Sequence, residues 1–197
     1  LMKVGFMGGT FDPVHYGHLL AAETAREACG LDEVWFVPSG HPPLKDHGPV
    51  ADGEARLEMV YRAIDFQPYF RAMDLELERE GTSYTIDTIR ALTELYPGRT
   101  FSIIIGADRV NDLPQWHDID ALARMASFIG VTRAGETLDP DRLPASIADK
   151  LTVVEMPRID ISSTAIRERA AAGRSIRFLL PEKVHSFIRR NGLYDAR

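Results

Sequence analysis

Short runs of β-branched and aromatic residues alternate along this chain with longer stretches whose apolar positions recur at helical spacing. That alternation constrains the fold more than any other feature of the sequence. The short runs fall at 3–7 (KVGFM), 33–37 (EVWFV), 69–73, 100–105 (TFSIII), 127–131 and 151–154. Helical stretches occupy 17–29, 53–66, 85–95, 119–126, 163–172 and 181–190. A run such as TFSIII is continuously apolar, as a strand must be when helices cover both sides of its sheet. The pattern predicts an α/β fold: a doubly wound, Rossmann-like parallel sheet with helices on both faces. A single domain is expected over 2–197, with a C-terminal helical portion from about 160 to 197.

The 197 residues are enough for one substantial core. A formal charge of -6 argues against a dedicated duplex-binding protein, because affinity for phosphate backbones comes mainly from Lys and Arg. No basic stripe interleaved with aromatics suggests a nucleic-acid partner. With one cysteine, Cys29, no intrachain disulfide can form. No apolar run approaches the roughly 18 residues of a membrane span, and no secretory signal is evident, so a cytoplasmic location is expected. Oligomeric state is not legible.

Open parallel sheets bind ligands outside the carboxyl ends of their strands, so the residues after each strand carry the functional signal. The first strand runs into GGTFDPVHYGH, 8–18. Gly8 and Gly9 allow close backbone approach, Asp12-Pro13 sets a turn, and a helix begins near Tyr16 or Gly17. Its unpaired N–H groups and positive dipole end make an anion site. His15 and His18 project from neighbouring positions on that helix start, and a bound phosphate would favour their protonated forms. The segment is neither GxGxxG nor a P-loop. ISSTAIRER, 161–169, opens a second helix that Ser162 or Ser163 can cap, with Arg167 one turn in as a charge-assisted donor.

The other strand ends are less specific taken alone. VPSGHPPLK (37–45) is a Pro-stiffened loop that could hold Lys45 toward a phosphate or leave it solvated. GTSYTIDTI (81–89) leads into a helix that Thr82, Ser83 or Thr85 could cap. IIIGADRVNDLPQW (103–116) leaves its strand at Gly106 and puts a carboxylate, Asp108, near the switch point, suited to a ribose diol. Trp116 fits either core or a ring on which a flat heteroaromatic stacks. Arg133, after the fifth strand, fits either a surface cation or a phosphate clamp. Trp35 reads as core. No Asp, Glu or His cluster has metal-ligand spacing, so Mg²⁺ is expected only as the counter-ion of a nucleotide.

These segments resemble the HxGH nucleotidyltransferases, and GGTFDPxHxGH looks most like the bacterial nicotinate-nucleotide adenylyltransferases. Five separated motifs between residues 3 and 194 carry the likeness. The resemblance implies ATP and nicotinate mononucleotide as partners, with His15, His18 and Arg167 as the catalytic residues. It implies an ATP site formed by Gly8, Gly9, Thr10, Phe11, Gly106, Asp108, Ile161, Ser162, Ser163 and Thr164. The SYTxDT and GADxxxxLPxW motifs imply a mononucleotide pocket of Tyr84, Thr85 and Trp116, with Lys45 and Arg133 added. Leu44, where many members have a histidine, and Ala134, where the family usually reads RPG, are departures. Pantetheine-phosphate adenylyltransferases and cytidylyltransferases share the first and last motifs, but are not expected to carry SYTIDT together with LPQW. A sensor that binds nucleotide without turnover is the alternative of a different class.

Overall fold

The computed structural model describes residues 1–40 and 49–196. Its strands are β1 (Met2–Gly9), β2 (Glu33–Pro38), β3 (Phe70–Ala72), β4 (Arg99–Gly106), β5 (Ser127–Arg133) and β6 (Leu151–Met156). The nine helices among the described residues are α1 (Tyr16–Cys29), α2 (Gly53–Ile64), α3 (Leu75–Glu78), α4 (Thr85–Leu95), α5 (Ala107–Val110), α6 (Ile119–Met125), α7 (Ala145–Ala148), α8 (Ser163–Ala171) and α9 (Glu182–Arg190). Each of the six predicted strands and six predicted helices forms within a few residues of its expected bounds. The four-residue helices α3, α5 and α7 were not expected; they are too short to show a periodic apolar face.

The strands make one sheet in the order β3-β2-β1-β4-β5-β6, with every neighbouring pair parallel. Strand order reverses between β1 and β4, which opens a crevice beyond their carboxyl ends. Val4, Phe6, Phe101, Ile103 and Ile105 pack on one face with α4 and α6. Met7, Phe36, Ile104 and Val131 pack on the other with α1, α2, α8 and α9. Adjacent strand residues thus serve opposite cores, which is why the strands read as unbroken apolar runs. Trp35 is core as expected, and its indole N–H donates to Glu33 Oε2 at 3.1 Å.

Local chemistry fixes the helix ends. Asp52 caps α2 by accepting from Ala55 N–H, and Gly30, at φ +62°, ends α1 in a left-handed turn. Ser162, rather than Ser163, caps α8, accepting from Ala165 N–H at 3.1 Å. At α4 the N-cap is Tyr84, which makes no side-chain cap. The caps expected from Thr82, Ser83 or Thr85 do not form: Thr85 is already inside the helix, and the Ser83 hydroxyl is buried without a partner among the described residues.

Candidate active site

A cavity of about 560 Å³ lies beyond the carboxyl ends of β1, β4 and β5. Loop β1–α1 brings Gly8, Gly9, Thr10 and Phe11 to its wall, and the start of α1 brings His15, Gly17 and His18. Gly106 and Asp108 enter from the end of β4, and Arg133 from the end of β5. Ile161, Ser162, Ser163, Thr164 and Arg167 line it from the start of α8. The N-termini of two helices therefore face one space, each bringing the partial positive charge of its dipole.

The histidines hold each other. His15 is the N-cap of α1, and its Nδ1 accepts from Gly17 N–H at 3.0 Å. His18 Nδ1 accepts from His15 N–H at 3.1 Å, closing a reciprocal capping box. The two rings stack with centroids 3.8 Å apart, and the Phe11 ring sits edge-on to His18 at 5.0 Å. With both Nδ1 atoms accepting, each neutral ring carries its proton on Nε2 and offers one N–H donor. Burial, with the nearby Arg133 guanidinium, lowers the His15 pKa from 6.5 to about 4. Burial, then His15, pulls His18 well below 6.5. Both shifts favour neutral, donating rings in the free protein, and a bound phosphate, which favours protonation, has to overcome their desolvation before it can charge them.

Arg167 reaches back across the cavity floor, donating to the main-chain oxygen of Asp12 at 2.9 Å and to Thr164 Oγ1 at 3.4 Å. Ser163 Oγ donates to Pro13 O at 2.8 Å, so α8 is fastened to the β1–α1 loop at two points. Arg133 pairs with Asp160 at 3.1 Å. It stands with the histidine cavity and not with Tyr84, Thr85 and Trp116, the residues it was grouped with from sequence. Lys45 lies outside the described residues.

Tyr84, Thr85 and Trp116 form a second group that does not line this cavity. Trp116 closes the 3₁₀ turn Leu113–Gln115 and is partly buried, so one part of its ring packs on the core while the rest stays accessible. The Tyr84 ring lies 4.3 Å from the ring of His117, which joins the SYT and LPQW segments side by side.

Two residues that organise the cavity were not singled out from sequence. Arg56 is buried in α2 and donates to three main-chain oxygens: Thr10 at 2.9 Å, Ser39 at 2.6 Å and Ala51 at 3.1 Å. A signal for it existed, since Arg56 falls on the same helical stripe as the buried Met59, Val60 and Ala63. Tyr194 donates its hydroxyl to Asp12 Oδ1 at 2.6 Å across 182 positions of sequence, and no local pattern marks that contact.

Comparisons with known proteins bear on the family and the fold. A cytidylyltransferase-like family profile matches residues 6–169. The chain is 46% identical over 194 residues to a probable nicotinate-nucleotide adenylyltransferase of Oceanobacillus iheyensis, covering 98% of this chain and 97% of that one. It is 47% identical over 197 residues to a protein of the same description from Halalkalibacterium halodurans, covering 100% and 93%. The fold superposes with a TM-score of 0.81 on Plasmodium falciparum nicotinic acid mononucleotide adenylyltransferase, solved with APC and with NaAD, at 21% identity and 100% and 99% coverage. By full-length likeness, then, the chain belongs to the cytidylyltransferase-like family and, within it, to the nicotinate-nucleotide adenylyltransferases.

Proposed function

We propose that the chain transfers the adenylyl group of ATP to nicotinate mononucleotide, giving nicotinate adenine dinucleotide and pyrophosphate, a step of NAD biosynthesis. The observation that carries the site assignment is the convergence of His15, His18, Arg133 and Arg167 on one cavity between two helix N-termini. In this reading a 5′-phosphate oxygen of the mononucleotide attacks the α-phosphorus in line. A new P–O bond forms as the bond to the β-phosphate oxygen breaks, and pyrophosphate leaves with that electron pair. The attacking phosphate is already anionic at neutral pH, so no protein base is needed. Catalysis rests on alignment and on donors aimed at developing charge.

His15 and His18 then donate Nε2–H to the triphosphate, Arg167 adds a cation, and the α8 N-terminus with Ser162, Ser163 and Thr164 completes the cradle. Gly106 and Asp108 take the adenosine side, while Tyr84, Thr85 and Trp116 take the pyridine ring. Arg133, which lines the same cavity as the histidines, is suited to either phosphate. Mg²⁺ enters as part of the nucleotide substrate. In keeping with that, the Asp12 carboxylate at the cavity is engaged by Val50 N–H, Ala51 N–H and the Tyr194 hydroxyl.

Pyrophosphate release from Mg·ATP is the test, with nicotinate mononucleotide, nicotinamide mononucleotide and 4′-phosphopantetheine offered in parallel. Preference for the first is expected. Preference for the second would overturn the carboxylate specificity, and preference for the third the pyridine pocket. Silence with all three from protein that still binds ATP would favour the sensor. In the same assay His18→Ala should lose about 100- to 1000-fold in rate, the usual cost of removing one donor aimed at transition-state charge.

A further inference from the structure

Asp12 is buried at the turn between β1 and α1, and both its carboxylate and its main-chain oxygen are engaged. Its carboxylate accepts from Val50 N–H at 2.8 Å, Ala51 N–H at 3.1 Å and the Tyr194 hydroxyl at 2.6 Å. Its main-chain oxygen accepts from Arg167 at 2.9 Å. One residue thus joins the glycine-rich loop, the start of α2, the C-terminal tail and the cation of α8. Tyr194 is the member of this knot most remote in sequence, and its O–H···O contact is the shortest.

Left-handed backbone lies beside one end of that contact and at the other. Phe11, next to Asp12, has φ +51°, and Tyr194 has φ +65°. Neither is a glycine, so each carries a conformational cost that only surrounding structure can maintain, and strain of this kind gathers at functional sites. The tail could end α9 at Gly192, φ +59°, without a second left-handed residue. A second follows at Tyr194, whose phenol is buried and bonded to Asp12. Burial and the adjoining Asp12 carboxylate raise the Tyr194 pKa, so the phenol stays a hydrogen-bond donor at any working pH.

We infer that Tyr194 is a positioning residue for the adenylyl-transfer reaction: through Asp12 it sets where the β1–α1 loop and the Arg167 guanidinium stand relative to the triphosphate. This rests on the reading of Arg167 as part of the triphosphate cradle. The side chain touches no substrate; its effect passes through a carboxylate that bonds to two other segments. Without the phenol, Asp12 keeps only two main-chain donors, and the turn that presents its carbonyl to Arg167 loses its brace from the tail.

Kinetics of Tyr194→Phe, Arg167→Ala and the double variant test this, because residues acting through one network are non-additive whereas independent structural damage multiplies. Tyr194→Phe should lower kcat/KM for ATP roughly 10- to 100-fold, the scale of one buried hydrogen bond to a charged group, with KM for nicotinate mononucleotide unchanged. Arg167→Ala should cost about 100-fold or more. In that background, adding Tyr194→Phe should cost less than about threefold. A double variant whose loss is the product of the two single losses, or a Tyr194→Phe enzyme with wild-type kcat/KM, overturns the inference. Wild-type activity in Arg167→Ala would instead overturn the cradle itself, a result that cannot be mistaken for the other two. Should Tyr194→Phe not fold, Asp12→Asn in the same cycle keeps the shape and removes the charge, with the same non-additivity expected and a multiplicative loss again decisive against it.

Discussion

The imidazoles of His15 and His18 lie 3.8 Å apart with 30° between their planes, and each gives its Nδ1 to a main-chain N–H at the start of the same helix. The pair occupies the place of a serine and a glutamate in an ordinary capping box. A carboxylate in that role would repel a polyphosphate; two neutral rings satisfy the same orphan amides and still face the cavity with donors.

That arrangement makes stability depend on pH. His15 titrates near 6.5 in the unfolded chain and at about 4 in the folded one, so between these values the unfolded state binds more protons. The stabilisation tied to the neutral ring is complete above pH 6.5 and is lost as pH falls toward 4, about 2 kcal/mol of it by pH 5. His18 acts in the same direction. Thermal unfolding of wild type and His15→Asn at pH 7.5 and pH 5 checks this. Asparagine is a good N-cap with no charge to gain, so its stability should fall less between the two. Parallel losses would exclude His15 as the source.

Gly17 is fixed by the same rings. A Cβ on it would stand 2.8 Å from His15 Cε1 and 2.9 Å from His15 Nδ1, so the ring must move. A glycine between the histidines is thus a steric requirement of the stack rather than of backbone flexibility. Gly17→Ala should fold, since alanine suits a first helical turn, but displaced rings should lower kcat by about 10-fold or more. Circular dichroism with steady-state kinetics reads both. Unchanged kcat would mean that the stack is not the reactive arrangement.

How much of this was legible in the sequence follows from the distance over which each feature is written. The strands and the long helices are encoded by periodicity within about ten residues, and they appeared where periodicity put them. HxGH and SSTAIR are contiguous segments, and the topology brings both to the β1/β4 crevice. Neutral histidines were not legible, because desolvation depends on what the other strands stack around the rings. Arg133 sided with the histidines for a similar reason: β5 ends beside the crevice, and strand order is not written in a local pattern. The Tyr194–Asp12 contact pairs residues 182 apart and could emerge only from the folded chain.

Trp116 separates the two substrates experimentally. Its half-buried ring lies on the segment that meets Tyr84 through His117, and in the proposed function it takes the pyridine ring and not adenine. Stacking of a flat ring on an aromatic side chain is worth about 1–3 kcal/mol, so Trp116→Ala should raise KM for nicotinate mononucleotide roughly 5- to 100-fold. KM for ATP should stay within about twofold. Trp116→Phe should recover most of the difference, since it keeps a π-face. Equal rises in both KM values would show that Trp116 supports the fold rather than the pocket.

Arg56 carries a stability prediction that sets geometry against charge. Its guanidinium fork bonds to Thr10, Ser39 and Ala51 oxygens at once, tying the glycine-rich loop to the end of β2 and the start of α2. An ammonium is a point charge on a flexible stem and cannot span three carbonyls fixed for a planar fork, so Arg56→Lys should not be conservative. Leaving buried carbonyls unpaired costs about 1–3 kcal/mol each, and lysine at best recovers one of the three. A net loss of about 3 kcal/mol is expected, or roughly 10 °C in Tm for a domain of this size. Because Thr10 O is one of the released oxygens, KM for ATP should rise together with the fall in Tm. A lysine variant melting within about 2 °C of wild type would show that charge at position 56, and not the fork, holds the loops together.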